Sequence, residues 1–302
     1  MKKISRKEFL RKSGAGIAAL GFMPGVSASD QKFEIPRREL GNTGIMVSEL
    51  CFGASRTRDE GLIRYAIDRG MNILDTGRAY ANGNNEKLVG KVIKDNRGDI
   101  IVQSKMYLEE SELNSGGKGK KGAAEIKDIL SVRLEQSLEA LDTDYIDIML
   151  YHSAEIEELV YHEAVMKFYD EQKSKGVIRA TGFSSHDYEL NILKRNNREK
   201  FWDVIMHPFN YSGSFIHSLS GWSAKWDQEV LISELTEAAR QGTAIIAMKS
   251  CSAGPFAEEG EMASYANSVK WVLGHSFICS AAVAMASFEQ VDEHMAFYAK
   301  AF

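Results

Sequence analysis

The residues best suited to chemistry stand where short apolar runs of the sequence end. Asp75 closes the run NILD, Lys105 closes IIVQSK and His152 closes YIDIMLYH. Tyr80 follows Asp75 in the loop of NILDTGRAYANGNNEKLVG. A phenol ionises at about pH 10 and is a poor acid at neutral pH, but a nearby ammonium stabilises the phenolate. Lys105 can be that ammonium if Asp75 holds its charge in an ion pair. His152 can donate to, and orient, the oxygen of a bound carbonyl. The four together fit proton donation to a carbonyl oxygen as hydride reaches its carbon. The hydride must come from a cofactor, because no side chain supplies one. His186 follows the fifth predicted strand and His207 lies near the end of the sixth, and for both, substrate contact and a structural role are open. Arg78 either binds an acidic substrate or is solvated. Taken singly, Asp75 reads as a turn cap, Tyr80 as a loop aromatic, Lys105 as a solvated strand end and His152 as an interior histidine. Only the set carries the chemistry.

The elements that must position these residues alternate along the chain. RRELGNTGIMVSELCFG reads as a hairpin, with Gly41 and Gly44 bracketing its turn. From SELCFG onward, about eight apolar strand segments alternate with helix-period segments. One is AAEIKDILSVRLEQSLEAL, whose Ile126, Leu130, Leu134, Leu138 and Leu141 form one stripe. ELVYHEAVMKFYDEQKSKG and DYELNILKRN each predict one helix. The rhythm predicts an α/β fold, a (β/α)8 TIM barrel with an N-terminal β-hairpin. No GxGxxG follows an early strand, which counts against a doubly wound dinucleotide fold. The segments MYLEESELNSGGKGKKG and NYSGSFIHSLSGWSAKW read as structureless loops after the third and sixth strands. A barrel gathers strand ends from distant sequence into one mouth, so the polar residues above converge if the fold is right.

Composition bounds the function. The chain has 302 residues, is 44% hydrophobic and carries a net charge of -5. That suffices for one barrel-sized core and argues against a nucleic-acid partner. No apolar run is long enough to span a bilayer securely. Cys51, Cys251 and Cys279 are too few and scattered for a disulfide framework and read as reduced core residues. Residues 1–28 read as an export signal: a basic start, a Gly/Ala-rich apolar stretch and Val26-Ser27-Ala28 for cleavage. Ser5-Arg6-Lys7-Glu8-Phe9-Leu10 resembles the twin-arginine signal, with Lys7 in place of its second arginine. The expected organisation is this signal followed by a single barrel domain, 29–302, in an exported, periplasmic protein. A cytoplasmic protein is the alternative.

From about residue 37 to its end the chain resembles the aldo-keto reductase family. The resemblance is carried by the hairpin, DTGRAYANGNNEKLVG, IIVQSK, LDTDYIDIMLYH and RATGFSSH, dispersed in the family's order. It implies that Asp75, Tyr80, Lys105 and His152 form the catalytic tetrad, with Tyr80 as proton donor. It implies a nicotinamide cofactor, NADP or NAD, and a small carbonyl or alcohol substrate. Cofactor contacts fall on Ser184, Ser185, Met206, Met248, Lys249, Ser250, Ser287 and Gln290, and Glu86 supports the ribose or adenine end. Several of these depart from the family's pattern. Ser184-Ser185 replaces a Ser-Asn pair, Met206 a glutamine, Met248 an aromatic residue and His294 an asparagine. Export adds a further expectation, slow cofactor release or a partner that recycles it. Two other readings stand beside this one. A metal-dependent hydrolase or isomerase would use Asp75, His152, His186 and His207, although Lys105 brings a competing charge; the reductase reading needs no metal. A non-catalytic nucleotide-binding barrel would follow from the altered cofactor positions.

Overall fold

The structure, a computed structural model, describes residues 35–113, 121–186, 190–216, 221 and 223–298. The segment read as an export signal lies outside the described residues. Strand β1 (Arg37–Glu39) pairs antiparallel with β2 (Met46–Ser48), the expected hairpin. Its turn requires glycine at position 41: φ is +56°, and a Cβ would lie 2.3 Å from the Gly242 carbonyl oxygen. Strands β3 (Leu50–Gly53), β4 (Ile73–Asp75), β5 (Ile101–Met106), β6 (Ile146–Tyr151), β7 (Ile178–Ser184) and β8 (Val204–Pro208) follow. A short antiparallel pair intervenes, β9 (Ser214–Ile216) with β10 (Ser223–Lys225). Strands β11 (Ala244–Met248) and β12 (Ser280–Ala284) complete the set. All but the two antiparallel pairs form a closed parallel barrel, in which β12 returns to β3.

Helices α1 (Glu60–Asp68), α2 (Asn84–Ile93), α3 (Ala123–Leu141), α4 (Glu157–Val160), α5 (Glu163–Ser174), α6 (Asn191–Glu199), α7 (Gln228–Arg240), α8 (Tyr265–Leu273) and α9 (Phe288–Met295) connect the strands. The predicted stripe of α3 is buried at Ile126, Leu130, Leu134 and Leu141 and partly buried at Leu138. Asp59, Asp227 and Ser264 cap α1, α7 and α8 through side-chain oxygens, contributing about 1 kcal/mol each. Strand side chains alternate between two cores. Ile148 and Leu150, Val204 and Met206, and Ile246 and Met248 fill the barrel, joined by Leu40, Ile45 and Val47 of the hairpin. The hairpin therefore closes one end with apolar side chains and leaves the C-terminal strand ends as the polar end. The second core lies under the helices and includes Leu74, Val102, Met149 and Phe183 with Val89, Leu130 and Val165.

Four local expectations need correction. The segment from Glu158 to Gly176 is not one helix. It breaks at Tyr161-His162, where His162 is extended and its Nδ1 accepts from the Ala164 N–H at 3.2 Å, capping α5. The helix expected from Asp187 starts at Asn191, after Leu190 takes a left-handed φ of +62°; residues 187–189 lie outside the described residues. The loop after β8 is not structureless. Its aromatic residues Phe215 and Trp226 are buried, and the Asn210 Nδ2 donates to the Ser214 carbonyl at 2.9 Å, so β9 and β10 form over them. The loop after β5 contains a 3-10 turn at Glu110–Leu113, and residues 114–120 of it are outside the described residues. Of the cysteines, Cys51 is buried, while Cys251 and Cys279 are only partly buried. Among the described residues no helix is long and apolar enough to cross a membrane.

Candidate active site

The polar end of the barrel brings the four expected residues together. Asp75 is the last residue of β4, Lys105 lies near the end of β5, and His152 directly follows β6, its N–H bonded to the Met106 carbonyl at 2.7 Å. Tyr80 begins the turn after β4. The Lys105 ammonium is buried, makes a very short ion pair with Asp75 Oδ1 and donates to the Thr76 carbonyl at 2.7 Å. It stands 4.9 Å from the centroid of the Tyr80 ring. The His152 ring meets Tyr80 edge-on, with centroids 5.6 Å apart and planes at 85°. Tyr107 flanks the other side of His152 at 6.3 Å.

Electrostatics assigns these groups different states. Burial alone would discharge Lys105, but Asp75 and Tyr80 more than reverse this and hold its pKa above the ordinary value. Lys105 acting alone would bring the Tyr80 phenol down. The net direction is upward, because burial and the Asp75 charge outweigh Lys105. Tyr80 thus keeps its proton at neutral pH, as a donor requires. Burial, then Lys105 and His186, push His152 down from 6.5 to about 3, so its imidazole is neutral.

The neutral histidine has a consequence for stability. The unfolded chain takes up this proton at a higher pH than the folded protein does. The stability involved is present above about pH 6.5 and is lost as pH falls towards about 3, at up to about 1.4 kcal/mol per unit. Urea unfolding from about pH 7 down to about pH 4 is expected to show a shallower loss in His152→Gln than in the native chain. Equal slopes would contradict the neutral assignment.

Two of the four residues that a metal-dependent reading would use, Asp75 and His207, are engaged elsewhere. Among the described residues no three His, Cys, Asp or Glu side chains are grouped to hold an ion. The Asp75 carboxylate is engaged by Lys105 and by Gln103 Nε2 at 2.6 Å. His207 is buried with Nδ1 2.9 Å from the Pro208 carbonyl oxygen and its ring beside Trp226.

The model of the aldo/keto reductase family matches residues 53–298, most of the chain, including every strand of the barrel from Gly53 onward. The chain belongs to this family. Among relatives, the uncharacterized oxidoreductase YqkF of Bacillus subtilis (strain 168) is 32% identical over 179 residues, 58% of this chain and 56% of that protein. That match spans little more than half of the relative's length. The holo form of aldo-keto reductase AKR11C1 from Bacillus halodurans superposes with a TM-score of 0.66 at 23% identity, over 89% of this chain and 92% of that one. An aldo/keto reductase from Klebsiella pneumoniae, solved with NADP and acetate, gives 0.62 at 19% identity, over 85% and 88%. The two structures share the fold.

The aldo/keto reductase barrel opens on a cleft of about 530 Å3. Asp75, Tyr80 and His152 line it, together with Ser184, Met206, Met248, Lys249, Ser250 and Gln290 from the expected cofactor set. The other two members of that set stand beside cleft-lining residues and are engaged in bonds within the protein. The Ser185 side chain is buried and donates to the Ala154 carbonyl at 2.6 Å. Ser287 caps α9, its Oγ accepting from the Gln290 N–H. Glu86, expected at the ribose or adenine end of the cofactor, does not line this cleft. It is fully buried on α2, outside the cleft, and pairs with Arg78 at 2.9 Å. Arg78, engaged in that pair, does not line this cleft either. His186 does line the cleft, 3.8 Å from Glu155, and helps lower the Glu155 carboxyl. His294 is buried on α9.

Two residues not singled out in the sequence stand beside these groups. Gln103 bonds Asp75 from behind; it lies two residues before Lys105, on the same strand face, and period-2 alternation was signal enough. Arg56 lines the cleft from the turn after β3. Burial and Arg56 together lower the Lys249 ammonium, so two cations face this side of the cleft.

Proposed function

We propose that this protein is a nicotinamide-dependent oxidoreductase that interconverts an aldehyde or ketone with its alcohol, with Tyr80 as proton donor. One observation carries the reading: a buried ammonium, held charged by Asp75, lies under the ring of a protonated phenol that a neutral imidazole also faces. The cleft fits the cofactor on chemical grounds. The Ser250 hydroxyl is buried there without a hydrogen-bond partner, and Arg56 and Lys249 offer charge to phosphate groups. Ser184, Met206, Met248 and Gln290 would complete the contacts. NADP or NAD is the expected molecule, with NADP favoured by the complex of the Klebsiella pneumoniae relative.

When bound, the reduced nicotinamide supplies the hydride that no side chain can. The chain's own residues do the rest. His152, neutral, orients the carbonyl oxygen. Tyr80 gives its proton to that oxygen as negative charge develops: the phenolic O–H breaks and the alcohol O–H forms. Lys105 stabilises the phenolate left behind, and Asp75 keeps Lys105 charged and in place. In the oxidative direction the phenolate takes the proton back. Mixing the protein with NADPH or NADH and a panel of aldehydes is expected to consume reduced cofactor only when aldehyde is present. Absence of consumption with every aldehyde and both cofactors would overturn the reading.

A further inference from the structure

On the helix side of the barrel wall, behind the turn that carries Tyr80, lies a buried charge pair that proton transfer does not use. Glu86 has no exposure to solvent. Its Oε1 accepts from the Ser104 hydroxyl at 2.6 Å, and its Oε2 stands 2.9 Å from the Arg78 guanidinium. A carboxylate withdrawn from water is costly unless paired, so the contact is not incidental. Arg78 reaches further. Its side chain donates to the Gln136 carbonyl on α3 at 2.8 Å, and its backbone N–H to the Lys105 carbonyl at 2.9 Å. Ser104 and Lys105 are neighbours on β5, with side chains on opposite faces. Lys105 serves Asp75 inside the barrel while Ser104 serves Glu86 outside it. One strand therefore fixes both the ammonium and the pair behind Tyr80.

The turn between Arg78 and Glu86 needs such support. Ala81, Asn82 and Gly83 take φ of +49°, +53° and +81° in succession. Left-handed backbone is unfavourable for alanine and persists only where its surroundings over-determine it. The Arg78 guanidinium lies so close over Gly83 that a Cβ there would be 1.0 Å from Nη2. Tyr80 stands at the head of this turn, its N–H bonded to the Gly77 carbonyl at 2.9 Å.

We propose that Arg78 and Glu86 are positioning residues for Tyr80: their pair latches residues 78–83 in the left-handed turn, so that the phenol stays over Lys105 and beside His152. The inference rests on the reading of Tyr80 as proton donor. It separates positioning from binding, because neither residue touches the cleft. Arg78 also lines a groove of about 790 Å3 on the outer surface, beside Gln136 and Lys87. That groove gives a small cation a route to the guanidinium's place.

Arg78→Ala is expected to lower kcat on the order of 10²-fold, the effect of a small misplacement of a reacting group. KM for the aldehyde and the affinity for cofactor stay near the native values. Added methylguanidinium restores kcat in a saturable manner in Arg78→Ala, and not in Arg78→Ala combined with Glu86→Gln, where the charge that would hold it is gone. Amide hydrogen exchange gives a readout apart from activity. Residues 78–83 exchange faster in Arg78→Ala and slow again with methylguanidinium, while the barrel strands do not change. Glu86→Gln keeps the volume of the side chain and removes its charge. It carries the same expectation of faster exchange should Arg78→Ala fail to fold. Native exchange at 78–83 and native kcat in the variants would overturn the proposal. Native turnover in Tyr80→Phe would remove the donor reading but leave the exchange result standing, so the two failures are distinguishable.

Discussion

Tyr80→Phe is expected to lower turnover by about 10² to 10⁴-fold, the usual worth of a positioned general acid. The change removes one oxygen from a largely buried ring. The ring keeps its edge-on contact with His152 and its place over Lys105. Folding and cofactor affinity should therefore be close to native, and the loss should fall on kcat. Steady-state kinetics with NADPH, beside a binding titration of the same variant, separates the two. Native turnover in Tyr80→Phe would show that another group gives the proton. His152 is the wrong candidate on electrostatic grounds, because its imidazole is already neutral and is lowered to about 3.

The second large effect concerns the ion pair beneath the phenol. Lys105→Met leaves the Asp75 carboxylate buried with one fewer cation, and Asp75→Asn leaves the Lys105 ammonium buried without its charge partner. Each single change is expected to cost about 3–5 kcal/mol of stability, because the charge left behind is uncompensated. The double variant removes both charges and should recover most of that loss. Turnover should not recover, since no ammonium remains to stabilise a Tyr80 phenolate. Urea unfolding and turnover measured on the three variants make the distinction. A double variant as unstable as the sum of the singles would show that the pair is not coupled as the geometry implies.

The sequence and the structure agree where a regular pattern governs the outcome. The barrel was legible because strand and helix periods alternate from Leu50 to Met295. The convergence of Asp75, Tyr80, Lys105 and His152 was legible because a barrel sends the ends of β4, β5 and β6 to one mouth. The same pleat could have separated the histidines near β7 and β8. Met206 faces the barrel interior, so its neighbour His207 must face outward, where it meets Trp226. Arg78 and Glu86 were harder. In sequence Arg78 reads as a substrate ligand or a solvated charge and Glu86 as a cofactor contact; only the fold of the intervening turn, left-handed at three successive residues, brings them together. Ser185 and Ser287 are harder to read from sequence for a related reason. A small hydroxyl serves equally well as a ligand, a cap or a brace, and its local backbone decides which. The pair of strands after β8 stayed hidden because their segment is polar in sequence, yet it buries Phe215 and Trp226.

The proposed reaction is hydride transfer to a carbonyl carbon at the mouth formed by Asp75, Tyr80, Lys105 and His152. It is tested most directly by supplying NADPH deuterated at the transferring position of the nicotinamide, together with an aldehyde that the protein consumes. The prediction is one deuterium on the former carbonyl carbon of the alcohol in the native protein, with product formation lost in step with kcat in Tyr80→Phe. Alcohol formed without deuterium, or aldehyde consumed while the label stays on the cofactor, would contradict it.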